Sequence, residues 1–176
     1  MNTKHGQKVM RYLLVAALIV VAIRYAYISY NWHQNDKKVP SVSQGHVVTF
    51  SAEMSDSTRI FDIAGSEQYI YIAYSRNGVV AVYDWDGTYQ YSLAFFCNTN
   101  GGLRMRCKDG LLYVSDHAHY EFVFSEDTLI KVLSPSEERH AAAWFDKEND
   151  ISIVIQNNKI YDKTGNFIMD LPGRLY

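Results

Sequence analysis

Asp116-His-Ala-His119 is the one dense run of metal-ligand residue types in the chain. In an extended segment, His117 and His119 project to the same side, because side chains alternate with a period of two. Two imidazoles and a carboxylate match the ligands that zinc and other transition metals take, given a fourth donor such as Glu121 or His140. The spacing lacks the specificity of a full metal motif, so a polar loop with two exposed histidines is the competing expectation. Asp84-Trp-Asp-Gly87 sets two carboxylates two residues apart. Calcium needs six or more oxygens and Thr88 and Tyr89 supply few, so a turn is expected here instead. Arg104 and Arg106 flank Met105 and could line a channel and bind an anion or carboxylate, or pair with nearby acids. Trp144 offers a stacking surface for a ligand or a core side chain. There is no Gly-x-Ser-x-Gly elbow, phosphate loop or dinucleotide fingerprint, and no spacing that supports a Ser/His/Asp triad.

The elements that must position these residues recur. Tyr69-Ile-Tyr-Ile-Ala-Tyr74, Leu111-Leu-Tyr-Val-Ser-Asp116 and Ile151-Ser-Ile-Val-Ile-Gln156 are three versions of one apolar strand. Tyr71 and Tyr113 are 42 residues apart, and Tyr113 and Ile153 are 40 apart. Around each copy lie a preceding short strand, a following strand, a polar turn and a last strand. A period near 40 with four short strands per unit is the pattern of β-propeller blades. The first unit runs from Arg59 to Phe95, the second from Leu103 to Leu133 and the third from Ala141 to Leu171. Asp84-Trp-Asp-Gly87 and Asp162-Lys-Thr-Gly165 occupy matching turns, with Asp and Gly where hairpins favour them. Val47-Val-Thr-Phe-Ser-Ala52 stands one period before Tyr89, as the orphan outer strand of a preceding unit.

Within this repeat, Tyr71-Ile-Ala-Tyr-Ser-Arg-Asn-Gly-Val-Val-Ala-Val-Tyr-Asp-Trp-Asp-Gly87 resembles the "YVAD…N…V.VFD.DG" pattern of NHL-type, six-bladed propeller repeats. Leu112-Tyr-Val-Ser-Asp116 through Val123-Phe124 is a similar, shorter copy. The resemblance covers about residues 47–172, and the Asn-His-Leu triplet that names the family is absent. It implies an all-β domain of three four-stranded antiparallel blades acting as a binding platform. Propellers close with four to eight blades. Three therefore predict an open or partner-completed arc: paired with a second copy, docked on a different protein, or left as a truncated relic or a stacked open sheet assembly.

The N-terminal region has its own character. Lys4, Lys8 and Arg11 precede Tyr12-Leu-Leu-Val-Ala-Ala-Leu-Ile-Val-Val-Ala-Ile23. Arg24, Tyr25, Tyr27, Tyr30 and Trp32 follow. As a helix, residues 12–30 extend about 28 Å, close to the hydrocarbon thickness of a bilayer. Large aromatics fill the place where a signal-peptide cleavage site would lie, and they suit an interfacial belt. Arg24 lies within reach of the outer headgroups by snorkelling, or could meet a partner helix. The domain plan is a cytoplasmic basic stretch (1–11), a transmembrane signal-anchor (12–30), a polar tether (31–46) and the repeat domain (47–176). The flanking charge predicts a cytoplasmic N-terminus and an extracytoplasmic domain.

Charge divides the same way. Residues 1–44 carry six Lys/Arg and one Asp; residues 45–176 carry eleven Lys/Arg and eighteen Asp/Glu. An acidic domain is a poor partner for nucleic acid, where binding rests on neutralising phosphates. Cys97 and Cys107 flank a flexible turn and form either a disulfide or two buried thiols. The function expected is a non-catalytic binding or scaffolding module for protein, peptide or glycan, without a cofactor. The alternative is a metal-dependent hydrolase or lyase built on Asp116, His117 and His119.

Overall fold

The computed structural model describes residues 3–54, 59–74, 77–96, 102–135 and 153–175. Cys97, His140, Trp144 and the expected strand 141–145 lie outside these residues, as does the side chain of Trp32.

Helix α1 spans Thr3–Asp36. Lys8–Asn31 within it has a mean hydropathy of 2.0 and is uncovered by the rest of the chain, so it is long and apolar enough to cross a membrane. The helix continues six residues past the apolar span's expected end at Tyr30, through what reads as tether, and ends at Asp36 just before Lys37.

Among the described residues the rest is mostly β structure, in three sheets. Sheet 1 holds β1 (Val47–Phe50), β2 (Arg59–Gly65), β3 (Tyr69–Tyr74), β4 (Val79–Asp84) and β5 (Tyr89–Phe95). Sheet 2 holds β6 (Arg104–Lys108), β7 (Leu111–Ser115), β8 (Glu121–Ser125) and β9 (Thr128–Leu133). Sheet 3 holds β10 (Val154–Gln156), β11 (Lys159–Tyr161) and β12 (Phe167–Asp170). Strands β2–β5, β6–β9 and β10–β12 are antiparallel meanders. Val47–Phe50, expected as an orphan, instead pairs antiparallel with β5 and covers the far edge of sheet 1. The opposite edge, β2, receives β13 (Arg174–Leu175) in parallel.

Sheet 1 is buried on both faces, which is why β3 and β4 read as nearly continuous apolar runs. Tyr71, Ala73, Val80 and Val82 meet Met105, Leu112, Val114, Phe122 and Phe124 of sheet 2. Ile70, Ile72, Val79 and Ala81 belong to a second core with Ile160, Ile168 and Met169 of sheet 3. The stacking order is therefore sheet 3, sheet 1, sheet 2, and not the order of the chain. The sheets do not close on themselves. Phe95 sits edge-on to Phe122 at 4.9 Å, a favoured geometry for aromatic quadrupoles.

The residues after α1 strap the domain. Lys38 Nζ donates to the Glu53 carbonyl at 3.4 Å, and Val39 packs on the second core. Gly45 lies against the Tyr120 ring, and Val47 packs on the first core. The chain thus passes from one face of sheet 1 to the other before β1 begins.

Candidate functional site

Asp116 ends β7 and opens a tight turn into β8. Its N–H donates to the Tyr120 carbonyl at 3.0 Å, and its carbonyl accepts the His119 N–H at 3.1 Å. Its Oδ1 accepts the Tyr120 N–H at 2.8 Å. Asp84 and Asp162 do the same in their own turns. Asp84 exchanges with Thr88, and its carbonyl accepts from Gly87. Asp162 exchanges with Asn166, and its carbonyl accepts from Gly165. The fourth position of each turn has positive φ: 84° at Gly87, 68° at His119 and 89° at Gly165. This is a three-residue hairpin loop ending in a left-handed residue, the place where glycine is at no steric disadvantage. His119 therefore stands where the other two turns have glycine.

Asp116 is 3% exposed, and its Oδ2 has no hydrogen-bond partner. Burial pushes its pKa above the usual carboxylate range, against the turn N–H groups and the nearby His117, which lower it. His117 and His119 are both exposed. Among the described residues, no three or more His, Cys, Asp or Glu side chains are grouped to hold a metal ion. Asp116 belongs to the turn's own hydrogen bonding, and Glu121 is engaged elsewhere.

Glu121 Oε1 accepts from Arg106 Nη2 at 3.0 Å, in a pair whose side chains are 13% and 19% exposed. The Arg106 guanidinium also lies 4.5 Å from the centre of the Tyr113 ring. Arg104 covers the Phe61 ring at the same distance. Gly102 is on that ring too: a Cβ there would come within 2.2 Å of it. The two arginines thus sit on aromatic faces, an arrangement the guanidinium plane suits. An incoming carboxylate at Arg106 would compete with Glu121.

The Asp84 and Asp86 carboxylates are engaged within their own turn. Asp84 Oδ1 and Asp86 Oδ1 both accept the Thr88 N–H, at 2.9 Å each, and Gln90 Nε2 donates to Asp84 Oδ2 at 2.7 Å. Trp85 in this turn donates its indole N–H to the Ser66 carbonyl at 3.0 Å, which ties it to the β2–β3 turn. At Gly87, a Cβ would come within 2.9 Å of Met169 Cβ and 3.1 Å of the Ile168 carbonyl oxygen.

Other polar groups matter that no motif announces. Asp62, 7% exposed, accepts the Met105 N–H through Oδ2 at 2.9 Å and so joins β2 to β6. Tyr83 donates its buried hydroxyl to Glu53 Oε1 at 2.9 Å. Both depend on contacts distant in sequence, which a local reading does not see. The turn pattern was visible: Asp-x-x-Gly occurs at 84 and 162, and Asp-x-x-His at 116.

Compared with known proteins, the chain matches no family model, and no curated protein or solved structure is significantly similar to it.

Proposed function

We propose that the chain is a single-pass membrane protein whose β domain is a non-catalytic binding or scaffolding module. The observation that carries this reading is the side of sheet 2 turned away from sheet 1, against which no other sheet packs among the described residues. Arg106, Glu121, Tyr113 and Lys131 project from it on the side away from the Leu112–Val114–Phe122 core, and sheet 3 is packed on sheet 1 instead. Cationic, acidic and aromatic groups held on a rigid sheet suit a protein, peptide or glycan surface, with the aromatic supplying most of the contact area.

A propeller-like arrangement of NHL type is the architecture this reading adopts. It is supported by the meander order within each sheet and by the Asp62–Met105 bond between two first strands. The unclosed sheets favour a partner in the same membrane, either another protein or a second copy, which completes the arc. The charge around α1 favours a cytoplasmic N-terminus and an extracytoplasmic domain.

The test places a photo-crosslinking residue at Tyr113 in the full-length, membrane-inserted protein. A discrete adduct at Tyr113 that is missing at the exposed Lys163 supports the reading. No adduct at Tyr113 under conditions where the protein is folded overturns it. Orientation is read separately with Lys163→Cys in a Cys97→Ser/Cys107→Ser background. An impermeant maleimide should label it on intact cells. Cys107 itself is buried and makes a poor reporter.

A further inference from the structure

Helix α1 passes into the β domain without a free stretch of chain. The apolar span ends at Asn31, and the helix runs on to Asp36. The Lys37 N–H still donates to the His33 carbonyl, and the Val39 N–H to the Asp36 carbonyl, each at 3.3 Å. Lys38 is already joined to Glu53, and Val39 already packs on the second core. Glu53 is itself held to sheet 1, because its carboxylate accepts the Tyr83 hydroxyl. The helix therefore arrives on the face of sheet 1 that carries sheet 3, while sheet 2 covers the other face.

We infer that the β domain rests on the headgroup layer of the bilayer that α1 crosses, with the corner around Lys38 and Glu53 as its point of contact. This rests on the reading of α1 as a membrane span, and not on the binding surface at Tyr113. The distances carry it. The five rises from Asn31 to Asp36 come to about 7.5 Å. The headgroup layer on each side of the hydrocarbon is about 5–7 Å deep. Asp36 thus leaves the helix at the top of that layer, and any tilt of α1 lowers it. Val39, at most about 10 Å further along the chain, is already part of the domain. A gap of that size is close to the Debye length of about 8 Å, so the exposed Lys37 lies within electrostatic reach of anionic lipid. The partner is a lipid surface, and the connection itself imposes the contact.

The test uses full-length protein in liposomes, in the Cys97→Ser/Cys107→Ser background. A spin label is placed at Ser51→Cys, exposed and two residues from Glu53, or at Ser125→Cys, exposed at the end of β8 on the far side of sheet 1. A nickel chelate anchored to lipid headgroups should relax the label at 51 several-fold more than the label at 125. An insertion of about ten Gly/Ser residues between Asp36 and Lys37, which reaches roughly 18 Å, should bring the value at 51 down to that at 125. Equal relaxation at 51 and 125 without the insertion, or a difference that the insertion leaves unchanged, overturns the inference. Extraction with alkaline carbonate separates it from the reading of α1. Protein that stays in the membrane and shows equal relaxation sinks this contact alone, whereas protein released by carbonate sinks both.

Discussion

The Asp62 carboxylate accepts the Met105 backbone N–H at 2.9 Å across the junction of sheets 1 and 2. Its other oxygen takes the N–H of Ile63 at 3.1 Å. A buried hydrogen bond to a charged acceptor contributes about 1.5–3 kcal/mol, and truncation strands the donor as well. Asp62→Ala should destabilise the domain by about that amount. Thermal or denaturant unfolding of the detergent-solubilised protein measures it. A variant as stable as wild type would show that the junction rests on the apolar core alone.

Gly87 and Gly165 have nearly the same φ, 84° and 89°, in equivalent turns. Their surroundings differ. Nothing lies within 4 Å of a Cβ at Gly165, whereas Met169 and Ile168 crowd one at Gly87. Gly165→Ala should cost about 1–2 kcal/mol from left-handed backbone strain alone. Gly87→Ala should cost more, because sheet 3 must also shift. Equal melting temperatures for the two variants would contradict this account of how sheet 3 docks.

His119 carries the left-handed strain that glycine avoids at 87 and 165. His119→Gly should therefore stabilise the domain, by about 0.5–1 kcal/mol, if the turn is the whole role of the residue. Metal analysis runs alongside it. Stoichiometric zinc in the purified wild type, lost in a His117→Ala/His119→Ala double variant, would favour the metal-dependent hydrolase or lyase reading over the binding module.

Asp116 gives a pH signature. Burial holds its folded-state pKa above the unfolded value of about 3.9. The folded state therefore binds the extra proton. The associated stabilisation is complete below about pH 4 and is lost as pH rises through the raised folded value. Asp162 shifts the opposite way through its Thr164 and Asn166 hydrogen bonds. Its contribution is present above about pH 4 and fades as pH falls through its lowered folded value. Asp116→Asn should remove a decline in melting temperature on the alkaline side of pH 4. An unchanged slope in Asp116→Asn would refute the assignment.

Strand positions were legible in the sequence because their periods are local. Tyr69–Tyr74 appears as read, the strands read as Val79–Tyr83 and Leu111–Asp116 are each off by one residue at their ends (Val79–Asp84 and Leu111–Ser115), and the Asp84 and Asp162 turns stand where expected. Three features were not. Val47–Phe50 has the composition of any outer strand, and nothing local says that it adds to β5 rather than to a preceding unit. The helical stretch from Asn31 to Asp36 is polar apart from Trp32, so it gives no periodic signal, yet it continues a long helix already nucleated in the apolar span. The stacking of sheet 3 on sheet 1 depends on Ile160 and Met169 meeting Ile70 and Ile72, about 90 residues away. At the candidate site, the His-rich cluster was visible, and the role of Asp116 as a turn former became clear only beside Asp84 and Asp162.

Strand β13 places Arg174 and Leu175 beside Arg59 and Ile60, at the edge of the earliest repeat unit. The β2–β5 meander draws on neighbours in sequence, whereas the strand that finishes its β2 edge comes from more than 100 residues later in the chain. Detaching β13 would leave the outer side of β2 with a row of unpaired backbone groups, so the earliest unit depends on the latest described strand for a protected edge.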